Sequence, residues 1–274
     1  MNEVSNSKRS VLNLDYKTII YEKDENGIAT ITFNRPERLN AINFLMFWEI
    51  REVLKEMSED KGVKVAIFTG AGRAFSSGAD LDLEGGLPEE VEIDMDDLAQ
   101  KGLILDLFDF EKPTIAAVNG VAVGGGWNIA QACDLVYASE KATMCYIFVK
   151  RALLPEMGST YLLPRSVGMH RAKELFFFGD TFDAKKALKL GLVNKVLPAE
   201  ELMIEVKKAA EKLAKGPATV LKLMKKIVNS QLREDISHAL DLENAGYSKT
   251  VGSEDFLEAV TAFIEKREPR FTEK

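Results

Sequence analysis

The chain has 274 residues and a formal charge of −7, from 36 Lys and Arg against 43 Asp and Glu, with 46% hydrophobic residues. This is a soluble composition, long enough for a sizeable core in one large domain or two smaller ones. Its acidic balance argues against nucleic acid as the main partner, because a phosphate backbone calls for a basic face.

The first strands are expected at residues 18–21 and 28–33, separated by a turn at Gly27. After Pro36, the spacing of Phe47, Ile50, Val53, Leu54 and Met57 predicts a helix from Phe44 to Ser58. VKVAIFTG follows, a short apolar run ending in glycine, as in a strand covered on both faces. Residues 82–97 are acidic and irregular and read as a surface loop or lid, with a helix expected over about 98–110. No charged residue occurs from Pro113 to Cys133, about the length of a membrane span. Yet Asn119, Asn128, Gln131 and the run Gly124-Gly125-Gly126 would leave polar groups and loose backbone in lipid. The segment therefore reads as a buried strand (TIAAV), an NG turn, a glycine corner and a helix to about 132, followed by the strand DLVYAS. Strand–helix alternation of this kind marks an α/β protein. After about Pro198 the strands stop: AEELMIEVKKAAEKLAKG and ATVLKLMKKIVNSQL are amphipathic helical patterns, ended by Gly216-Pro217 and by polar residues, and a further helix is expected over about 253–267.

Most familiar catalytic motifs are absent: there is no GxxxxGK[ST], GxSxG or HExxH. Two cysteines (Cys133, Cys145) and two histidines (His170, His238) rule out a disulfide scaffold and a Cys/His zinc cluster, so no metal is expected. They fit a reducing cytoplasm, and the N-terminal segment lacks the apolar run of a signal peptide. What remains is a pair of glycine-rich corners, AGRAFSSGADL (71–81) after one strand and NGVAVGGGWNIA (119–130) after another. Each is a tight turn between packed elements or, alternatively, a source of free backbone N–H groups. Two converging N–H groups make an oxyanion hole.

Taken together, the blocks FNRPERLNA (33–41), FSSGADL (75–81), KPTIAAVNGVAVGGG (112–126), CDLVYASEKA (133–142), GLVNKV (191–196) and AFIEKREPRF (262–271) resemble the crotonase superfamily of enoyl-CoA hydratases and isomerases. The resemblance runs along almost the whole chain. It implies a ββα-spiral core over residues 1–198 carrying the CoA and oxyanion-hole site. A helical C-terminal region over 199–274 would then pack homotrimers or homohexamers. It also implies an acyl-CoA thioester as substrate, with no cofactor beyond the CoA of that substrate. By the same resemblance, the N–H groups of Ala79 and Gly125 hold the thioester oxygen. Arg35, Arg38 and Ala41, together with Ser77 and Asp80, line the CoA channel, and Phe263 and Lys266 reach the adenine and phosphate end. For the charged residues among them, an ordinary solvated side chain is the competing reading.

The chain departs from the hydratase pattern at two positions. Where typical hydratases carry two glutamates that activate water, it has Asn128 and Phe148. Glu156, in LLPEMGST, falls where peroxisomal-type Δ3,Δ2-enoyl-CoA isomerases have a single catalytic glutamate. One base suffices to take a proton from C2 and return it to C4, so double-bond isomerisation is expected. The alternatives are hydration by Glu156 alone, thioester hydrolysis, or a catalytically silent acyl-CoA-binding protein. Glu156 also has a structural reading as an acid near a helix start. Glu84, Glu89 and Glu90 in the acidic loop are fallback candidates.

Overall fold

The computed structural model describes residues 16–80 and 101–272. The acidic loop and Glu84, Glu89 and Glu90 lie outside the described residues. The strands form two sheets. The larger has the order β1 (Ile19–Lys23), β2 (Ile28–Phe33), β3 (Val65–Gly70), β5 (Thr114–Val118), β7 (Leu135–Ser139) and β10 (Lys195–Leu197). Only β1 runs antiparallel to its neighbour. The smaller has β4 (Ala74–Ser76), β6 (Val121–Val123), β8 (Thr143–Cys145) and β9 (Phe182–Asp183), parallel except at β9.

The chain therefore repeats one move: β3 to β4, β5 to β6, and β7 to β8 each step from the large sheet to the small one. Helices α2 (Leu103–Asp109) and α3 (Gly125–Ala132) follow the first two steps. This is the crotonase ββα spiral. Residues 121–123, read from sequence as part of a turn and corner, are one of its strands. The expected helix over 98–110 is described from Leu103 to Asp109, and the last helix, α10, is Glu254–Ile264.

Alternation along the strands explains the layering. Val65 and Ile67 of β3, with Ile28, Ile115 and Ala117, face outward against Leu202, Val206 and Ala210 of α7 (Leu202–Ala214). Ala66 and Phe68, with Ile31, Phe33 and Ala116, face inward against α1 (Phe44–Glu59) and the second sheet. Both faces of the strands are covered, which is why TIAAV is buried at every position and reads as a continuous apolar run. Helix α1 starts where Asn43 caps it, its side chain accepting a hydrogen bond from the Met46 N–H at 3.0 Å. The buried α1 residues include the predicted Phe47, Ile50, Val53, Leu54 and Met57.

Between β8 and α7 lie a 3-10 turn (Ile147–Arg151), α4 (Ser159–Val167), α5 (Met169–Phe178) and α6 (Ala184–Leu190). The C-terminal helices are α7, α8 (Ala218–Ser230), α9 (Arg233–Thr250) and α10. Helix α9 lies where the sequence pattern marked none.

Candidate active site

The first corner is held by Asn40, which is buried in a left-handed conformation (φ 55°). Its side chain accepts from the Arg35 N–H at 2.9 Å and donates to the carbonyls of Ala71 (2.9 Å) and Ala74 (2.8 Å), pinning the RPERLNA turn to the strand end opposite. The Ile42 N–H then donates to the Gly78 carbonyl (2.8 Å), and the Asp80 N–H donates to the Ile42 carbonyl (3.0 Å). In extended chain, neighbouring groups alternate sides, so the Ala79 N–H is turned away from Ile42. Gly78 is required here: its φ is +92°, and a Cβ would lie 2.8 Å from the Val123 carbonyl oxygen of the second corner. Behind the turn, the Arg35 guanidinium lies 2.7 Å from an Asp80 oxygen and donates to the Ala41 carbonyl at 2.7 Å.

The second corner opens α3. Gly124 donates to the Cys145 carbonyl (2.9 Å), and Asn128 N–H donates back to Gly124 (3.0 Å), so the Gly125 N–H is one of the first-turn donors with no intrahelical acceptor. Among the described residues, neither the Ala79 nor the Gly125 N–H is matched to an acceptor. Helix α3 approaches β4 so closely that a Cβ on Gly126 would sit 2.5 Å from Ser76 Cβ.

Both corners open on a cavity of about 490 Å³. Ile147, Phe148, Leu153 and Phe263 give it an apolar wall, and Glu156 lines it. One carboxylate oxygen of Glu156 lies 3.7 Å from where a Gly125 Cβ would be, beside the second N–H donor. Burial in this setting, with the negative charge of Glu243 as a smaller cause, pushes the Glu156 carboxyl up to about 7 from an ordinary 4.5. The turn that presents it is unusual, with Met157 (φ 54°) and Gly158 (φ 74°) both left-handed.

Of the residues expected in the site, Glu156, Ala79, Gly125, Arg38, Ala41, Ser77, Asp80, Phe148 and Phe263 line this cavity. Three expected residues do not. Arg35 is committed behind the first corner to Asp80 and Ala41. Asn128 is buried beneath the site, its amide donating to the Glu156 carbonyl at 2.9 Å. Lys266 is exposed just past the end of α10. Sequence reasoning missed Arg151, whose guanidinium lies 4.1 Å over the Phe263 ring at the cavity and whose proton affinity burial lowers. No local pattern announces it. It also missed Glu243, which closes the buried α9 stripe Ile236, Leu240, Glu243 and in sequence looks like any solvated glutamate. Both histidines are exposed and away from the cavity.

A two-sheet spiral whose two glycine-rich corners line one cavity is the crotonase architecture. The chain belongs to the enoyl-CoA hydratase/isomerase family, whose sequence model matches residues 23–274, and it is an enzyme of that kind. It is 36% identical over 260 residues to the crotonyl-CoA hydratase of Syntrophomonas wolfei, covering 94% of this chain and 99% of the relative. It is 37% identical to the 1,2-epoxyphenylacetyl-CoA isomerase of Escherichia coli, covering 91% and 97%. The crystal structure of an enoyl-CoA hydratase/isomerase from Pseudoalteromonas atlantica superposes with a TM-score of 0.86 at 31% identity, covering 93% of this chain and all of that one. Among the described residues, no helix is long and apolar enough to cross a membrane.

Proposed function

We propose that the protein isomerises 3-enoyl-CoA to 2-enoyl-CoA with Glu156 as the base. The Glu156 carboxylate removes a C2 proton, and the electrons of that C–H bond pass into the thioester as a dienolate. The Ala79 and Gly125 N–H groups stabilise the dienolate oxygen. The protonated Glu156 then returns the proton to C4, leaving the double bond at C2–C3. No water, electron or further cofactor enters the balance. The observation that carries this reading is Glu156 itself, half-buried against an apolar wall beside Gly125 with a proton affinity near neutrality. A base poised near the working pH can both take and give a proton. Among the described residues, the other acid lining the cavity, Asp80, is ion-paired to Arg35. At the two positions where hydratases carry glutamates, Asn128 is tied to a carbonyl and Phe148 is a buried ring.

Hydration of 2-enoyl-CoA is the second reading, favoured by the hydratase names of most of the relatives. A paired assay with 3-enoyl- and 2-enoyl-CoA of several chain lengths, followed by absorbance and mass, separates the two. Isomerisation without gain of water is expected; fast gain of water overturns the lone-shuttle reading. Binding of CoA with no turnover of either overturns catalysis on these substrates and leaves the silent binder.

The assembly we propose is a homotrimer or homohexamer. Helix α8 has no buried residue, yet Val220, Leu223, Met224, Ile227 and Val228 stand exposed on it, an apolar face that calls for a partner surface. Sedimentation at micromolar concentration should show no monomer. Both free cysteines are buried thiols, which suits a reducing, cytoplasmic setting.

A further inference from the structure

Glu243 sits in α9, 87 residues from Glu156 in sequence, and is buried with 4% of its surface exposed. It does not line the cavity. One carboxylate oxygen accepts from the Gly158 N–H at 2.7 Å and the other from the Thr160 N–H at 2.9 Å and the Thr160 hydroxyl. These donors belong to the left-handed turn that follows Glu156 and to the first turn of α4. Two of them are backbone N–H groups, which can donate but cannot accept a hydrogen bond from a protonated carboxyl, and they lie where a helix N-terminus favours negative charge.

From this arrangement we propose that Glu243 is a positioning residue held as a carboxylate. It fixes the Glu156–Gly158 turn through the Gly158 and Thr160 donors and places a second negative charge behind the base. The inference rests on Glu156 being the base of the proposed isomerisation. Burial acts on Glu243 too and pushes its carboxyl upward, opposed by the Thr160 and Gly158 hydrogen bonds. The charged and titratable groups around Glu156 come from several elements. Arg38 and Asp80 line the cavity from the first corner, Arg151 from the 3-10 turn, and Glu243 and Tyr247 approach from α9. Of these, Glu243 is the one whose charge raises Glu156.

The test is Glu243→Gln, which keeps the shape and one acceptor but removes the charge. Two readouts are taken against pH. One is kcat/KM on 3-enoyl-CoA, and the other is the infrared carboxyl stretch of Glu156, assigned by its loss in Glu156→Gln. Removing a like charge in a partly desolvated site should move both midpoints down by at least about half a pH unit. Thr160→Val, which strips the hydroxyl that keeps Glu243 ionised, should move them the same way by less, and it serves if Glu243→Gln does not fold. Loss of stability with unmoved midpoints in either variant overturns the inference and leaves Glu243 as a cap for α4. If the wild type turns over neither enoyl-CoA while the infrared midpoint still moves down, the coupling stands and the isomerase reading falls.

Discussion

Replacing Glu156 by Gln should cost activity and add stability, and the two effects have one cause. In the unfolded chain this carboxyl titrates near 4.5, and in the fold it is pushed up to about 7. An acid with a raised folded value imposes no penalty below 4.5. The penalty grows as pH rises from 4.5 to 7 and is complete above 7, because the native state then carries a charge it solvates poorly. At 1.36 kcal/mol per pH unit, the interval corresponds to about 3 kcal/mol as an upper limit. The cavity admits some solvent, so about 2 kcal/mol is the working figure. Urea unfolding of wild type and Glu156→Gln at pH 5 and pH 8 reads it directly. The variant should gain about 2 kcal/mol on the wild type between the two pH values, while isomerisation falls by about 10²- to 10⁴-fold. A stability difference that is the same at both pH values would show that Glu156 is not desolvated, and full activity would remove it as the base.

Phe148→Ala should open the apolar wall to water, moving the acid limb of the rate profile below 7 and letting hydrated product appear; an unchanged limb would mean that the ring does not shield Glu156. Gly126→Ala drives a methyl to 2.5 Å from Ser76 Cβ and 2.8 Å from the Ser76 carbonyl oxygen, so it should lower stability by about 1–3 kcal/mol in thermal unfolding. Ser76→Gly should rescue it only in part, because the backbone oxygen remains. Asp80→Asn breaks a pair whose side chains are 14% and 7% exposed, and Arg35 is left without that charge; a loss of about 2–4 kcal/mol is expected, with reduced kcat as the first corner loosens. Wild-type stability and kcat would exclude that role for the pair.

Periodicity and glycine placement made much of this protein legible from its sequence. The α1 stripe, the doubly covered runs VAIFTG and TIAAV, and the two glycine corners are local patterns set by burial and by backbone that admits no Cβ. The family blocks extended that reading to Ala79, Gly125 and Glu156, which the fold brings to one cavity. Short strands were less visible, since three residues such as Val121–Val123 carry too little alternation to declare themselves. Helix α9 escaped because its buried stripe ends in a glutamate, which looks solvated until Gly158 and Thr160 are seen to donate to it. Arg35 shows the converse: a side chain that suggested a ligand contact is consumed by internal partners, Asp80 and the Ala41 carbonyl. Sequence alone determined which backbone corners exist and which residue types stand at them, because those depend on near neighbours. Tertiary structure alone decided the proton affinity of Glu156, because burial and the charge of a residue 87 positions away depend on how distant segments meet.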